Sequence, residues 1–308
     1  MGNSQPTNKT NKKVTAQVRC WRHCWGPVFC FHSPLFARKK FDSAKKIGVL
    51  SLSEHGLDRV PSQLWDESEL RKLRTLDLSK NKLTSIGKIG LLKELKSLNL
   101  DGNNFYAGSL EQIAQLSKLQ NLSLAGNKLG LLPPHDPAQQ TVTRSMQDTL
   151  PELPATLKQL NLSANALSHI PRPVFAVNLT KLEKLDLSYN QLATVPIEIV
   201  NLKNLEELNC DSNMIVSLSE ELGGLKKLKV LSLRNNKLSV HSTIFSDRNP
   251  QPLPRSIFTD TLLIDLNLHG NQMTSTHMNQ FDGYQQFLDR RQKVKSKTMT
   301  NLDVCGLD

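Results

Sequence analysis

The sequence predicts an α/β solenoid of about nine coils, with a curved parallel β-sheet on the concave side and short helices, 3₁₀ turns and loops on the convex side. Three observations lead there. Leucine recurs at nearly every third position through long stretches. Aromatic residues make up only 5% of the 308 residues, so the core has to be aliphatic. A single pattern, L-x-x-L-x-L-x-x-N-x-L, is written nine times.

The pattern starts weakly at Ile47, Leu50, Leu52, His55 and Leu57. It then runs with asparagines at Asn81, Asn103, Asn127, Asn165, Asn190, Asn213, Asn236 and Asn271. The intervals between them are 22, 24, 38, 25, 23, 23 and 35 residues, a unit of about 23 with two longer stretches. This is the leucine-rich repeat. In its L-x-L core, alternation sends two leucines inward and the residue between them outward, which makes a short strand. The asparagine closes each strand's end, where its amide is expected to satisfy buried backbone groups. One coil cannot bury its own apolar face, so stacked coils share a core.

An apolar residue followed by proline marks the returning segments: Val60-Pro61, Leu132-Pro133, Ile170-Pro171 and Val195-Pro196. Proline starts helical turns because its missing N–H would be unpaired there anyway, so short helices or 3₁₀ turns are expected on the convex side. The long intervals hold 133–155 and 239–261; Pro-rich and polar, they read as loops bulging from the solenoid. Three regions follow: a basic, Cys- and aromatic-containing extension over 1–42, expected to be disordered; the repeat domain over 43–276; and a C-terminal capping helix with a basic tail over 277–308. At the other end the cap is expected to be the His55 repeat itself, with His55 an edge variant of the asparagine position.

The 39 Lys and Arg exceed the 28 Asp and Glu, a net charge of +11. The excess lies at the ends. Residues 1–46 hold ten cations against Asp42 alone, residues 289–308 hold five against three acids, and the body over 47–288 has 24 of each sign. A neutral body argues against a nucleic-acid-binding repeat protein.

Met1-Gly2-Asn3-Ser4 makes Gly2 a candidate for N-myristoylation, although Pro6 stands where the acceptor rule wants Ser or Thr. Myristate holds a membrane only marginally without a second signal; the basic segment, or acylation of Cys20, Cys24 or Cys30, would supply it by binding an anionic membrane surface or inserting a second chain. The three cysteines, with His23 and His32, match no paired zinc knuckle, and no metal or cofactor is assigned. No apolar run of about 18 residues occurs, and Arg19, Arg22 and His23 interrupt the one nearest the start, which excludes a transmembrane helix and argues against a secretory signal. Without cysteine-paired caps, a reducing cytoplasmic compartment is expected.

The eight histidines are scattered, no nucleophile, base and acid follow a recognisable spacing, and no phosphate-binding glycine loop occurs, so no catalytic residue is assigned. The expected function is a protein-interaction scaffold working through the concave face, with a regulatory subunit of a signalling enzyme as the alternative. The candidate face combines the residue between the inward leucines with its neighbours: Asp77, Asn99, Asp101, Asn161, Asp186, Asn209, Asp211, Asn267, then Arg234 and His269 at the C-terminal end. Tyr189 is the candidate aromatic anchor.

Met1-Gly2-Asn3-Ser4, the stretch from Ala44 to Leu50, the stretch from Leu73 to Lys82 and the stretch from Gly283 to Arg290 together resemble a family of small intracellular leucine-rich repeat proteins. The resemblance covers roughly residues 1–4 and 43–297. It implies membrane association through an acylated Gly2 and no assigned catalysis. Residues 5–42 and the long 133–155 connection depart from the family's pattern.

Overall fold

The structure, a computed structural model, describes residues 34–131, 150–239 and 252–295, with side chains placed from Lys39 to Val294. Gly2, Cys20, Cys24, Cys30, Leu132-Pro133, the middle of both long intervals and the tail beyond 295 lie outside the described residues.

Nine strands of three residues each form one parallel sheet in chain order. They are β1 Val49–Ser51, β2 Thr75–Asp77, β3 Ser97–Asn99, β4 Asn121–Ser123, β5 Gln159–Asn161, β6 Lys184–Asp186, β7 Glu207–Asn209, β8 Val230–Ser232 and β9 Asp265–Asn267. The register puts the inward leucines in one row, from Leu50 against Leu76 through Leu160 against Leu185 to Leu231 against Leu266. A one-residue slip would turn every leucine of a strand out to water, so burial fixes the register. Both longer intervals leave the row intact: Leu122 pairs with Leu160 and Leu231 with Leu266.

On the convex side, Val60-Pro61 leads into a helical turn, α2 (Gln63–Asp66), while Pro171 and Pro196 open 3₁₀ segments at Arg172–Phe175 and Ile197–Asn201. Leu64, Val174 and Ile199 are the buried residues of these turns and close the core from behind. Where neighbouring coils meet just after the asparagine positions, side-chain volume is tightly limited. A Cβ on Gly130 would collide with the Ala166 carbonyl of the next coil. Gly130→Ala is therefore expected to destabilise the fold by about 1–3 kcal/mol, the usual cost of overpacking, read as a lower melting temperature in calorimetry.

The N-terminal end differs from the sequence expectation. The N-terminal cap is a helix, α1 (Pro34–Ile47), and not the His55 coil. Phe41 and Ala44, three apart on one helix face, are buried in the core, and Lys45 binds Glu67 at 2.7 Å. The expected boundary between residues 42 and 43 thus falls inside this helix. α1 stops at Gly48, whose φ of +73° suits glycine.

The second long interval is not all loop. Pro254 precedes α3 (Arg255–Thr259), and Leu253, Ile257 and Phe258 are fully buried against the preceding coil. Leu150 and Leu153 likewise return the first interval to the core before residue 155. Prolines in these stretches set helical or extended entries to buried segments as well as marking turns.

Two helices close the C-terminal end. After α4 (Ser275–Met278), α5 (Tyr284–Lys295) lays Tyr284 and Phe287 against Phe258, with ring centroids 5.8 and 6.0 Å apart. Arg290 donates to the carbonyls of Leu263 and Phe258 at 2.8 and 2.7 Å, which fastens the cap to the last coil.

Candidate protein-binding face

The asparagines stack as a ladder along the sheet's edge. Asn81, Asn103, Asn127, Asn165, Asn190, Asn213 and Asn236 are buried, and Asn271 at the open end is half-buried. Asn190 shows the geometry. Its Nδ2 donates to the carbonyls of Leu187 and Ser188 in its own coil and of Leu162 in the coil before, at 2.9–3.1 Å. Its Oδ1 accepts the N–H groups of Asn165 and Leu167, both at 3.0 Å. His55, in the corresponding place of the first coil, donates its own N–H to Asn81 Oδ1. Its Nδ1 lies 2.5 Å from the Ser53 carbonyl and must carry the proton, so Nε2 accepts from the Lys40 ammonium of α1 at 3.1 Å.

The sheet's concave side is an open groove enclosing about 580 Å³, lined by Ser97, Asn99, Asp101, Asn121, Ser123, Gln159, Asn161, Lys184, Asp186, Glu207, Asn209, Val230 and Ser232. Asp77, Asn99, Asn161, Asp186, Asn209 and Asn267 stand between the inward leucines, all half-buried. These side chains also do local work that the sequence analysis missed. Each accepts the backbone N–H two residues on: Asp77 from Ser79, Asn99 from Asp101, Asn161 from Ser163, Asp186 from Ser188, Asn209 from Asp211 and Asn267 from His269, at 2.9–3.2 Å. This is the Asx turn, which finishes the strand where the ladder ends.

In coils four and eight the position is serine, too short for that bond. There the aspartate of the previous coil reaches across. Asp101 accepts Ser123 Oγ at 2.6 Å and the Ala125 N–H at 2.7 Å; Asp211 accepts Ser232 Oγ at 2.6 Å and the Arg234 N–H at 2.7 Å. The aspartates at 101 and 211 stand one coil ahead of these two serines, a complementarity written in the sequence itself.

The column before each inward leucine, absent from the sequence candidates, carries the face's ion pairs. Lys184 binds Glu207 at 2.6 Å across β6 and β7. One residue earlier, Lys158 binds Glu183 at 2.9 Å and Lys229 binds Glu206 at 2.8 Å. The hydrogen bond from Lys229 holds the Glu206 carboxyl below its ordinary range. Such half-exposed pairs contribute about 0–1 kcal/mol each; they fix the charge pattern more than the stability.

Tyr189, Arg234 and His269 are exposed at the groove's rim. Tyr189 is 67% exposed, and its φ is +55°. The same position of the neighbouring coils carries Ala164 and Ser212, so the ring stands above small residues. A non-glycine residue with left-handed backbone costs about 1–2 kcal/mol. Tyr189→Asn is expected to raise the melting temperature slightly, because asparagine tolerates this conformation better, which equilibrium thermal unfolding would show.

Cys210 replaces a core leucine, and burial, with the carboxylates of Asp186 and Asp211, pushes its thiol far above the usual range. A protonated, enclosed thiol is no nucleophile. Among the described residues no cluster of three or more His, Cys, Asp and Glu could hold a metal, and no helix is long and apolar enough to cross a membrane.

Two family models, both for the leucine-rich repeat, match residues 155–215 and 72–92. The chain carries leucine-rich repeats. Among curated leucine-rich repeat relatives, podocan of Mus musculus is 33% identical over 168 residues, 51% of this chain and 27% of podocan. Lumican of Coturnix japonica is 34% identical over 138 residues, 41% of this chain and 40% of lumican. The chain thus spans well under half the length of either. Of solved structures, a leucine-rich repeat protein of Leptospira interrogans superposes with a TM-score of 0.51 at 28% identity, covering 82% of this chain and 60% of that one. Internalin C2 of Listeria monocytogenes, at 20% identity and a TM-score of 0.52 over 85% of this chain and 92% of its own, shares the fold.

Proposed function

We propose that this leucine-rich repeat chain is a non-catalytic scaffold that captures another protein on its concave face, at the cytoplasmic side of a membrane. The observation that carries the reading is the groove: a sheet face nine strands long, uncovered by any described segment, lined by amides, hydroxyls and carboxylates. Small polar side chains leave room for a partner's loop or segment, and a wide, shallow groove offers no enclosed pocket in which to shield a reaction from water.

The test is a bulky plug. Gln159 is exposed on the groove floor, and Lys203 is exposed on the convex side. Gln159→Trp is expected to weaken capture of the principal partner, identified by affinity purification and mass spectrometry, by tenfold or more (about 1.4 kcal/mol), and Lys203→Trp to leave it unchanged. The reverse pattern would move the interface to the convex side.

The membrane half of the proposal rests on Gly2 and on the ten cations of residues 1–46, and on the likeness of the chain's start and finish to leucine-rich repeat-containing protein 57. Each cation near an anionic surface adds about 1 kcal/mol to one acyl chain's marginal hold. Gly2→Ala is expected to shift the protein from the membrane pellet to the soluble fraction; intact-mass measurement of an unmodified N-terminus in the cellular protein would remove the lipid from the account.

A further inference from the structure

We propose that the flank of the solenoid on which the strands begin lies on an anionic lipid bilayer, with the strands rising from it and the groove opening along the membrane surface. This rests on the membrane half of the reading above and says which face meets the lipid. In each coil the first leucine of the pattern, Ile47 in coil one, is preceded by two residues and followed by one at the turn into the strand. Across nine coils these twenty-seven positions hold fourteen lysines and arginines and three acids. Twelve of the fourteen belong to residues 47–288, whose total charge is zero, so the rest of that body is net negative. The three acids, Glu94, Glu183 and Glu206, are each bound by a lysine of the same flank: Lys118, Lys158 and Lys229. Arg74, Lys96, Lys181 and Lys203 are exposed, with no carboxylate at ion-pair distance among the described residues.

Backbone bonds make the flank continuous. The residue after each first leucine donates its N–H to its counterpart's carbonyl in the coil before, at 2.7–2.9 Å, from Arg74 on Gly48 and Lys96 on Arg74 to Ile264 on Lys229. Nine coils at about 4.8 Å make a row about 40 Å long. Side chains meet along it too: Lys227 donates to Asn204 Oδ1 at 2.6 Å, and Asn204 to the Thr180 carbonyl. The positive field exceeds what the local acids absorb. Lys118 first, then Lys96 and Arg74, hold the Glu94 carboxyl below its ordinary range; Lys229 first, then Lys227 and Lys184, do so for Glu206. Exposed apolar side chains mark both ends of the row, Ile47 at 66% beside Lys46 and Leu262 at 49% in coil nine. Lysines flanked by apolar tips suit a bilayer, whose headgroups take the charge while the boundary beneath takes the apolar groups. The basic sequence of residues 1–46 joins this row at its first members, Lys45 and Lys46. Nucleic acid is the poorer match. Twelve of the fourteen cations are lysines, which lack the planar fork that grips phosphates and bases, and no aromatic residue stands in the row to stack on a base.

The test uses the full chain without its acyl group and sedimentation with vesicles of phosphatidylcholine and phosphatidylserine in equal parts. The triple variant Lys96→Gln, Lys181→Gln, Lys203→Gln removes three exposed charges that hold no ion pair, so the melting temperature should hold. Vesicle binding should fall at least tenfold, each cation near an anionic surface being worth about fivefold. The triple Lys82→Gln, Lys88→Gln, Lys237→Gln removes as much charge from exposed lysines beyond the asparagines and should cost far less. Equal losses in the two triples, or binding unchanged by the first, overturn the assignment. So does a labelled single-stranded RNA that binds more tightly than the vesicles and is released by the first triple, which would make the flank a nucleic-acid surface. The two readings fail separately. A cellular protein freed from membranes by Gly2→Ala, with vesicle binding indifferent to the first triple, keeps the membrane and loses the flank. An unmodified N-terminus with vesicle binding that depends on the first triple removes the acyl chain and keeps the flank.

Discussion

Asn190→Ala is expected to cost about 3 kcal/mol or more of unfolding free energy, the upper end of what one buried polar truncation usually costs. The side chain answers five backbone groups at once: the carbonyls of Leu162, Leu187 and Ser188 and the N–H groups of Asn165 and Leu167. Alanine leaves these groups in a space closed to water, since Asn190 is buried and its neighbour Asn165 is fully so. Urea unfolding of the variant should show a lower midpoint; an unchanged midpoint would mean that the ladder does not bear on stability. Asn190→Asp should also destabilise, because a carboxylate keeps the acceptor and loses both donors while bringing a buried charge.

Capture of the principal partner should fall below detection when Asp186 becomes lysine and Asp211 becomes asparagine. A lysine at 186 reverses the charge of a carboxylate that lines the proposed interface, and truncating or reversing one member of a desolvated charge pair costs about 2–5 kcal/mol, roughly 30- to several-thousand-fold in affinity. Asparagine is chosen at 211 because that side chain also finishes the turn of coil eight through Ser232 and Arg234; lysine there would confound binding with folding. Surface plasmon resonance with the purified partner measures the loss, and circular dichroism checks that the fold is kept. Undiminished capture would place the interface away from coils six and seven.

Most of the repeat architecture was legible because its signals are periodic. Leucine at fixed offsets fixes which side chains are buried, and the asparagine's place after two leucines fixes which backbone groups it meets. What escaped reading lacked a period. Phe41 and Ala44 of α1 lie in a stretch where Lys39, Lys40, Lys45 and Lys46 dominate the composition, so the charge hid a short buried stripe. Ile257 and Phe258 stand just after a run of prolines that reads as loop. On the concave face, polarity alone said only that the surface is wet. The exchange of Asx residues for serines at 123 and 232, each preceded one coil earlier by an aspartate, was present in the letters, but its meaning depends on which coil lies beside which.

The ladder also gives the solenoid a direction. In every adjacent pair, the asparagine carbonyl that completes one coil's turn comes from the coil after it: Asn81 serves His55 and Leu57, Asn190 serves Asn165 and Leu167, and Asn271 serves Leu238. A chain severed between coils five and six would therefore damage its two halves unequally. The N-terminal half would end on two N–H groups stripped of their acceptor. The C-terminal half would begin on an asparagine whose Nδ2 is still bonded to Leu187 and Ser188, and whose Oδ1, having lost the N–H groups of Asn165 and Leu167, can turn to water. Each coil is thus finished by its successor, and a ribosome making this chain releases every turn incomplete until the next asparagine arrives.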